Sequence, residues 1–256
     1  MKIGGKMNTN PIEQFRKESL ERTNSYQSNK SLIQTSRKFH EEINKVSYAY
    51  NFFWLGVPII QIPQDLQALQ EIIWKVKPDL IIETGIAWGG SLIFSASMLA
   101  VLEYCDLIEN GQVLGIDIDI RSHNKEAILA HPLSKKITMF EGSSIDEKMI
   151  NKVKAFAKNK KRIMLCLDSN HTHDHVLAEL NAYAALVTQG SYCMVGDTGI
   201  EDLPDGMITD RPWGKGNNPK TAVWEFLKKN KNFIIDKTIE SKLLFTGSPD
   251  GYLKRV

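Results

Sequence analysis

Cysteine, charge of a single sign and long apolar runs are all scarce in this 256-residue chain. The three cysteines, Cys105, Cys166 and Cys193, are odd in number and widely spaced. Two of them fall inside apolar, strand-like runs. That excludes a disulfide framework and suits reduced core thiols in the cytoplasm. Lys and Arg number 32 against 30 Asp and Glu, a net charge of +2, which gives no electrostatic reason to expect a nucleic-acid partner. The local cluster Lys158, Lys160, Lys161 and Arg162 reads as a solvated turn before a strand. No window approaches the ~18 consecutive apolar residues that a membrane span needs. No apolar h-region follows Met1, so a secretory signal is not expected. The G-K-[ST] of a P-loop is also missing.

What is present is regular. Hydrophobic residues make up 42% of the chain, enough to bury a large core. Residues 1–50 are polar and rich in Asn, Ser, Lys and Gln, with an amphipathic helix expected around Pro11 to Arg22. They read as an N-terminal helical extension that packs on the core, covers a site or joins an oligomer. Residues 51–256 read as the main domain. Tyr48 to Pro63 is aromatic and broken by Gly56, Pro58 and Pro63, as core-edge packing or, less simply, a pocket lining. A helix from Asp65 to Val76 is stopped by Pro78. Five apolar runs of strand length follow, at Leu80–Ile86, Val113–Ile120, Ile137–Gly142, Arg162–Ser169 and Ser191–Thr198. Helices are expected between them, and again at Lys220–Asn230. Near-continuous apolar strands alternating with amphipathic helices predict a parallel sheet covered on both faces. The end of the chain reads as two strands with a short connection, an antiparallel hairpin. Five βα units closed by such a hairpin predict an α/β, Rossmann-like fold: a mostly parallel seven-stranded sheet of the class I methyltransferase type.

Three places on the carboxyl edge of that sheet can carry chemistry. The first is Glu83-Thr84-Gly85-Ile86-Ala87-Trp88-Gly89-Gly90-Ser91, where the first parallel strand turns into its helix. Gly85 and Gly89 let backbone approach a ligand, and Glu83 can face the positive end of a cofactor. Ala87 stands where a dinucleotide fingerprint needs its second glycine, which argues against an NAD-dependent oxidoreductase. The second is Asp117 with Asp119, whose carboxylates suit the hydroxyls of an adenosine ribose. Asp117 lies 34 residues beyond Glu83, farther than the usual spacing of about 20 in a dinucleotide site. Ser143 and Ser144 either border the adenine or form an ordinary strand-to-helix turn.

The third place is Asp168-Ser169-Asn170-His171-Thr172-His173-Asp174-His175. Asp168 pairs naturally with Asp197 at the end of the fifth strand, making an oxygen-rich site for Mg²⁺. His171 is the candidate general base. For His173, and less so for His175, the alternative is an exposed residue opening a helix. Zinc is disfavoured, because H-x-H-x-H near a helix start cannot aim three rings at one ion.

Together LIIETGIAWGGS, GIDIDI, LDSNHTHDHVLAEL and RPWGKGNNPKTAVWEFL (Arg211 to Leu227) resemble the cephalosporin hydroxylase and rhamnosyl O-methyltransferase family, from about Tyr48 to the C-terminus. The resemblance implies a class I methyltransferase fold, S-adenosylmethionine and Mg²⁺ as cofactors, and methylation of a hydroxyl. By it, Glu83, Gly85 and Asp117 hold the cofactor, and Asp168 and Asp197 hold the metal beside His171; the strand-end positions themselves add Ala87, Gly89, Ser91, Asp119, Ser143, Ser144 and Asp168 as candidate cofactor contacts. Related metal sites carry an acid just before the position of Asp197. Here that position is Gly196, so a replacement ligand would be water, Glu201 or Asp202. The rhamnosyl branch implies a saccharide acceptor, as in capsule, lipopolysaccharide or glycolipid synthesis. The alternatives are another small hydroxylated metabolite or a non-catalytic cofactor-binding protein. A homo-oligomer is expected. The long loop Gly199 to Asn218, with Arg211 and Trp213, is expected to shape acceptor choice.

Overall fold

The computed structural model describes residues 10–256; the start of the extension, and of the stretch read as lacking a secretory signal, lies outside them. Helix α1 (Pro11–Tyr26) opens with the Asn10 side chain accepting from the Ile12 amide and Pro11 in the first turn. Helix α2 (Lys30–Lys45) repeats the device with Asn29 and the Leu32 amide. Both starts follow ordinary capping chemistry. The extension is tied to the C-terminal region, since Gln27 donates to Ser241 and Ser36 to the Leu244 carbonyl.

The aromatic segment forms a small antiparallel hairpin, β1 (Phe52–Trp54) and β2 (Val57–Ile59). Its two turn residues, Leu55 and Gly56, both have positive φ, 46° and 88°. That is the backbone a two-residue hairpin turn requires. The hairpin was not legible as strands because the aromatic run alternates over only three residues on each side. The main domain continues with α3 (Pro63–Val76), β3 (Leu80–Thr84), α4 (Gly90–Tyr104), β4 (Gln112–Asp117), α5 (Ser122–Ala130), β5 (Ile137–Glu141) and α6 (Glu147–Ala157). It is completed by β6 (Ile163–Leu167), α7 (His173–Tyr183), β7 (Tyr192–Val195), α8 (Pro219–Lys229), β8 (Phe233–Ile235), α9 (Lys237–Leu243) and β9 (Tyr252–Arg255).

Seven strands form one sheet in the order β5-β4-β3-β6-β7-β9-β8. The first five are parallel, and β9 runs antiparallel to both β7 and β8. Every residue of β3 and β6 is buried. Alternate side chains feed two cores: Ile81 packs with Leu92, Leu99 and Tyr252 on one face, Ile82 with Val153, Leu180 and Phe226 on the other. Each such aliphatic side chain contributes roughly 1.5–3 kcal/mol by leaving water.

The strands of the terminal pair are not joined by a short connection, because β8 ends at Ile235 and Asp236 caps α9 by accepting from the Thr238 amide. The segment FIIDKTIE therefore splits into strand and helix, and residues 236–251 separate β8 from β9. Strand order reverses between β3 and β6, and the crevice at their carboxyl ends is where an open α/β sheet binds ligands.

Candidate active site

A cavity of about 850 Å³ opens over that crevice. Its floor is set by the turn after β3. Gly85 has φ +89°, and a Cβ there would stand 2.0 Å from the carbonyl oxygen of Asp168. Only glycine lets the ends of β3 and β6 touch in this way. Gly89, also at φ +89°, starts α4, and a Cβ on it would strike the side chain of Ile128. Gly85, Ala87, Gly89, Ser91, Asp117, Asp168, His171 and Asp197 all line the cavity.

Other expected cofactor residues are placed differently. Glu83 does not reach the cavity wall: it is buried behind Ser91, whose hydroxyl donates to it. Burial pushes its carboxyl up to about 8, so it is neutral over most of the physiological range. Asp117 reaches the wall, and its Oδ2 accepts from the amides of Ile86 (2.7 Å) and Ala87 (3.4 Å). Asp119 is not brought to the cavity, since it lies past the end of β4 with its amide donating to Asp117. Ser143 and Ser144 also stay away. The Ser143 carbonyl accepts from the Asp146 amide in a strand-to-helix turn, while the Ser144 hydroxyl is buried and donates to Glu179 at 2.6 Å.

On the far side of the cavity, Asp168, His171 and Asp197 each aim one ligand-capable atom into a space where all three atoms lie within 4.8 Å of one another. His171 Nε2 is 3.4 Å from Asp197 Oδ2. Asp168 is withdrawn from water and faces Asp197, so its carboxyl is held well above the usual range; burial is the larger cause, and His171 opposes it. Asp197 sits at φ 53°, a left-handed conformation uncommon for a side chain-bearing residue. A Cβ on Gly196 would lie 2.4 Å from Asp168 Oδ1, so an acid at position 196 would require the Asp168 side chain to turn. Neither proposed substitute is free in this arrangement. Glu201 accepts from the Gly216 amide and the Asn218 side chain, and Asp202 pairs with Lys220 at 2.6 Å.

The other two imidazoles of the cluster turn elsewhere. His173 Nδ1 is 2.8 Å from the Thr221 hydroxyl and its Nε2 3.2 Å from Glu225, whereas His175 meets Glu179 and Ser169. The remaining wall was only partly anticipated. The loop after β7 contributes Met207, Arg211 and Trp213, with the Trp213 ring edge-on to His171 at 4.9 Å between centroids. Helix α2 contributes His40, Asn44 and Lys45, so the extension is part of the cavity wall. Gln61, between β2 and α3, donates to Asp168 Oδ2 at 3.2 Å. Nothing in the sequence marks residues 40 and 61 as neighbours of residues 168–213, because folding alone brings them together.

The family model for Rhamnosyl O-methyltransferase/CmcI matches residues 46–256. The chain belongs to this family. Residues His40, Asn44 and Lys45 precede the matched region. The rhamnosyl O-methyltransferase of Mycobacterium bovis is 28% identical over 228 residues, 84% of this chain and 84% of that protein. Among solved structures, an apo structure of CmcI superposes with a TM-score of 0.55 at 19% identity, covering 81% of this chain and 77% of the other. A Mg–SAM structure of CmcI gives 0.53 at 18% identity, with the same coverage. Family and fold make this chain an O-methyltransferase of the class I fold.

Proposed function

We propose that the chain transfers the methyl group of S-adenosylmethionine to a hydroxyl of a saccharide or saccharide precursor, with Mg²⁺ held by Asp168 and Asp197. The observation that carries this is the convergence of Asp168, His171 and Asp197 on the cavity whose floor is the glycine turn. The names of the relatives agree, as one is a rhamnosyl O-methyltransferase and another is solved with Mg and SAM.

The residues present fit both groups. Two carboxylates a short distance apart, in a place without Lys or Arg partners among the described residues, suit a hard dication that prefers oxygen. That preference leaves the imidazole free for a proton. The turn Gly85 to Ser91 with Asp117 would hold the cofactor, its backbone exposed where Cβ atoms are absent. When bound, S-adenosylmethionine supplies an electrophilic methyl group and Mg²⁺ a Lewis acid that lowers the pKa of the acceptor hydroxyl. His171 takes the hydroxyl proton at Nε2, with Asp197 beside it to stabilise the imidazolium. Trp213, perpendicular to the ring of His171, lines the cavity and gives it an aromatic surface suited to a sugar. The cavity walls orient the acceptor oxygen for in-line attack, and much of the acceleration comes from that positioning.

No helix among the described residues is long and apolar enough to cross a membrane. We place the enzyme in the cytoplasm, in keeping with its unpaired cysteines. We also expect copies to associate through α1, where Ile12, Phe15 and Leu20 are more than half exposed. The test of the acceptor is release of S-adenosylhomocysteine with a panel of rhamnosides and other glycosides. Turnover with at least one glycoside, falling about 10²-fold or more in His171→Ala, supports the assignment. Turnover confined to non-sugar hydroxyl compounds would replace it with a small-metabolite acceptor.

A further inference from the structure

Asp168 sits in a crowd of acids. Asp197, Glu179 and Asp65 all act on it, and among the described residues no Lys or Arg lies within 4.0 Å of its carboxylate. Its side chain receives one hydrogen bond from these residues, from Gln61. Gln61 donates through its amide N–H₂, and this bond leaves the other lone pairs of the carboxylate open to a cation.

The backbone carrying Gln61 is well held. The preceding strand lies so close to the start of α4 that a Cβ on Gly90 would be 2.3 Å from the Pro58 carbonyl oxygen. On the other side the Ile62 carbonyl accepts from the Asp65 amide in the first turn of α3. Gln61 therefore projects from a braced segment into the wall between the cavity and a small space shared with Glu83, Cys166 and Asp168.

We propose that Gln61 is a positioning residue of the metal centre, its carboxamide fixing the rotation of the Asp168 carboxylate toward Asp197 and His171. The inference rests on the assignment of Mg²⁺ to Asp168 and Asp197. Partners behind a metal ligand typically change metal affinity by 10–100-fold when removed. Gln61 has the same task here, with a further demand: position 196 supplies no second acid, so the orientation of Asp168 matters more.

The test is calorimetric titration of the full chain with Mg²⁺, comparing wild type with Gln61→Met, a side chain of equal length without a donor, and Gln61→Leu, one atom shorter and also without a donor. The expected result is Mg²⁺ affinity about 10-fold weaker in both variants. Melting temperature and affinity for S-adenosylhomocysteine in the absence of metal should be unchanged, which a merely structural role would not leave intact. Wild-type Mg²⁺ affinity in either folded variant overturns the inference and leaves the metal site standing. Loss of folding in both variants overturns it too, by making the amide a structural element. Failure of the wild type to bind Mg²⁺ removes the metal assignment, and this inference falls with it.

Discussion

The two sides of the cavity are built on opposite plans. On the β3–β4 side, Gly85, Ala87, Gly89 and Ser91 lie in one turn, Asp117 joins them from the end of the adjacent strand, and much of the surface is backbone. There the Asp117 carboxylate is already satisfied by the amides of Ile86 and Ala87. On the β6–β7 side, side chains converge from five separate segments, at residues 40, 61, 168–171, 197 and 211–213. There Asp168 and Asp197 face each other with an imidazole and one amide for company. The first side offers backbone to a ligand, and the second concentrates carboxylate charge that a proton or a bound cation would relieve. The comparison implies that binding and chemistry separate along the crevice.

That separation can be broken by mutation. Asp168→Ala and Asp197→Ala should each lower methyl transfer by 10³-fold or more, about 4 kcal/mol, while affinity for S-adenosylhomocysteine measured without metal changes by only a few-fold. Equal loss of both would show that the two sides act as one. Gly85→Ala attacks the seam between them. With φ at +89° and the Asp168 carbonyl in the way, it should cost roughly 3 kcal/mol of stability, read as a fall in melting temperature. An unchanged melting temperature would mean that the seam relaxes freely.

Glu83 offers a pH test of the β3 side. Its carboxyl is raised from 4.5 to about 8 by burial, so the fold favours the neutral form. The stability it contributes is complete below about 4.5 and is lost as pH rises through 8. Wild-type stability should therefore decline across that window by more than that of Glu83→Gln, which is neutral throughout. Parallel curves for the two proteins would contradict the shift. The smallest effect belongs to His173→Ala. Its ring is committed to Thr221 and Glu225, so turnover should stay within about threefold of wild type, in contrast to His171→Ala.

The same contrast explains what could be read from the chain. The β3 turn was legible because glycines and an acid at fixed offsets from an apolar strand are local signals, and the parallel sheet followed from its apolar runs. Asp168, His171 and Asp197 were legible as residue types at strand ends. Their company was not: Gln61 is one polar residue in IIQIP, and His40 one imidazole on a solvated-looking helix. Glu83 lies deeper than its position in the turn suggested, for a related reason. Strand periodicity gives the residue a face of the sheet, while its depth behind Ser91 depends on the helix packed above it. Ser144 was likewise drawn inward by Glu179, a partner 35 residues away.

The most direct test is calorimetric titration of the purified full chain with S-adenosylhomocysteine, with and without Mg²⁺. The account predicts micromolar binding on the glycine turn, tightened when Mg²⁺ occupies Asp168 and Asp197. A folded protein that binds S-adenosylhomocysteine in neither condition would contradict it.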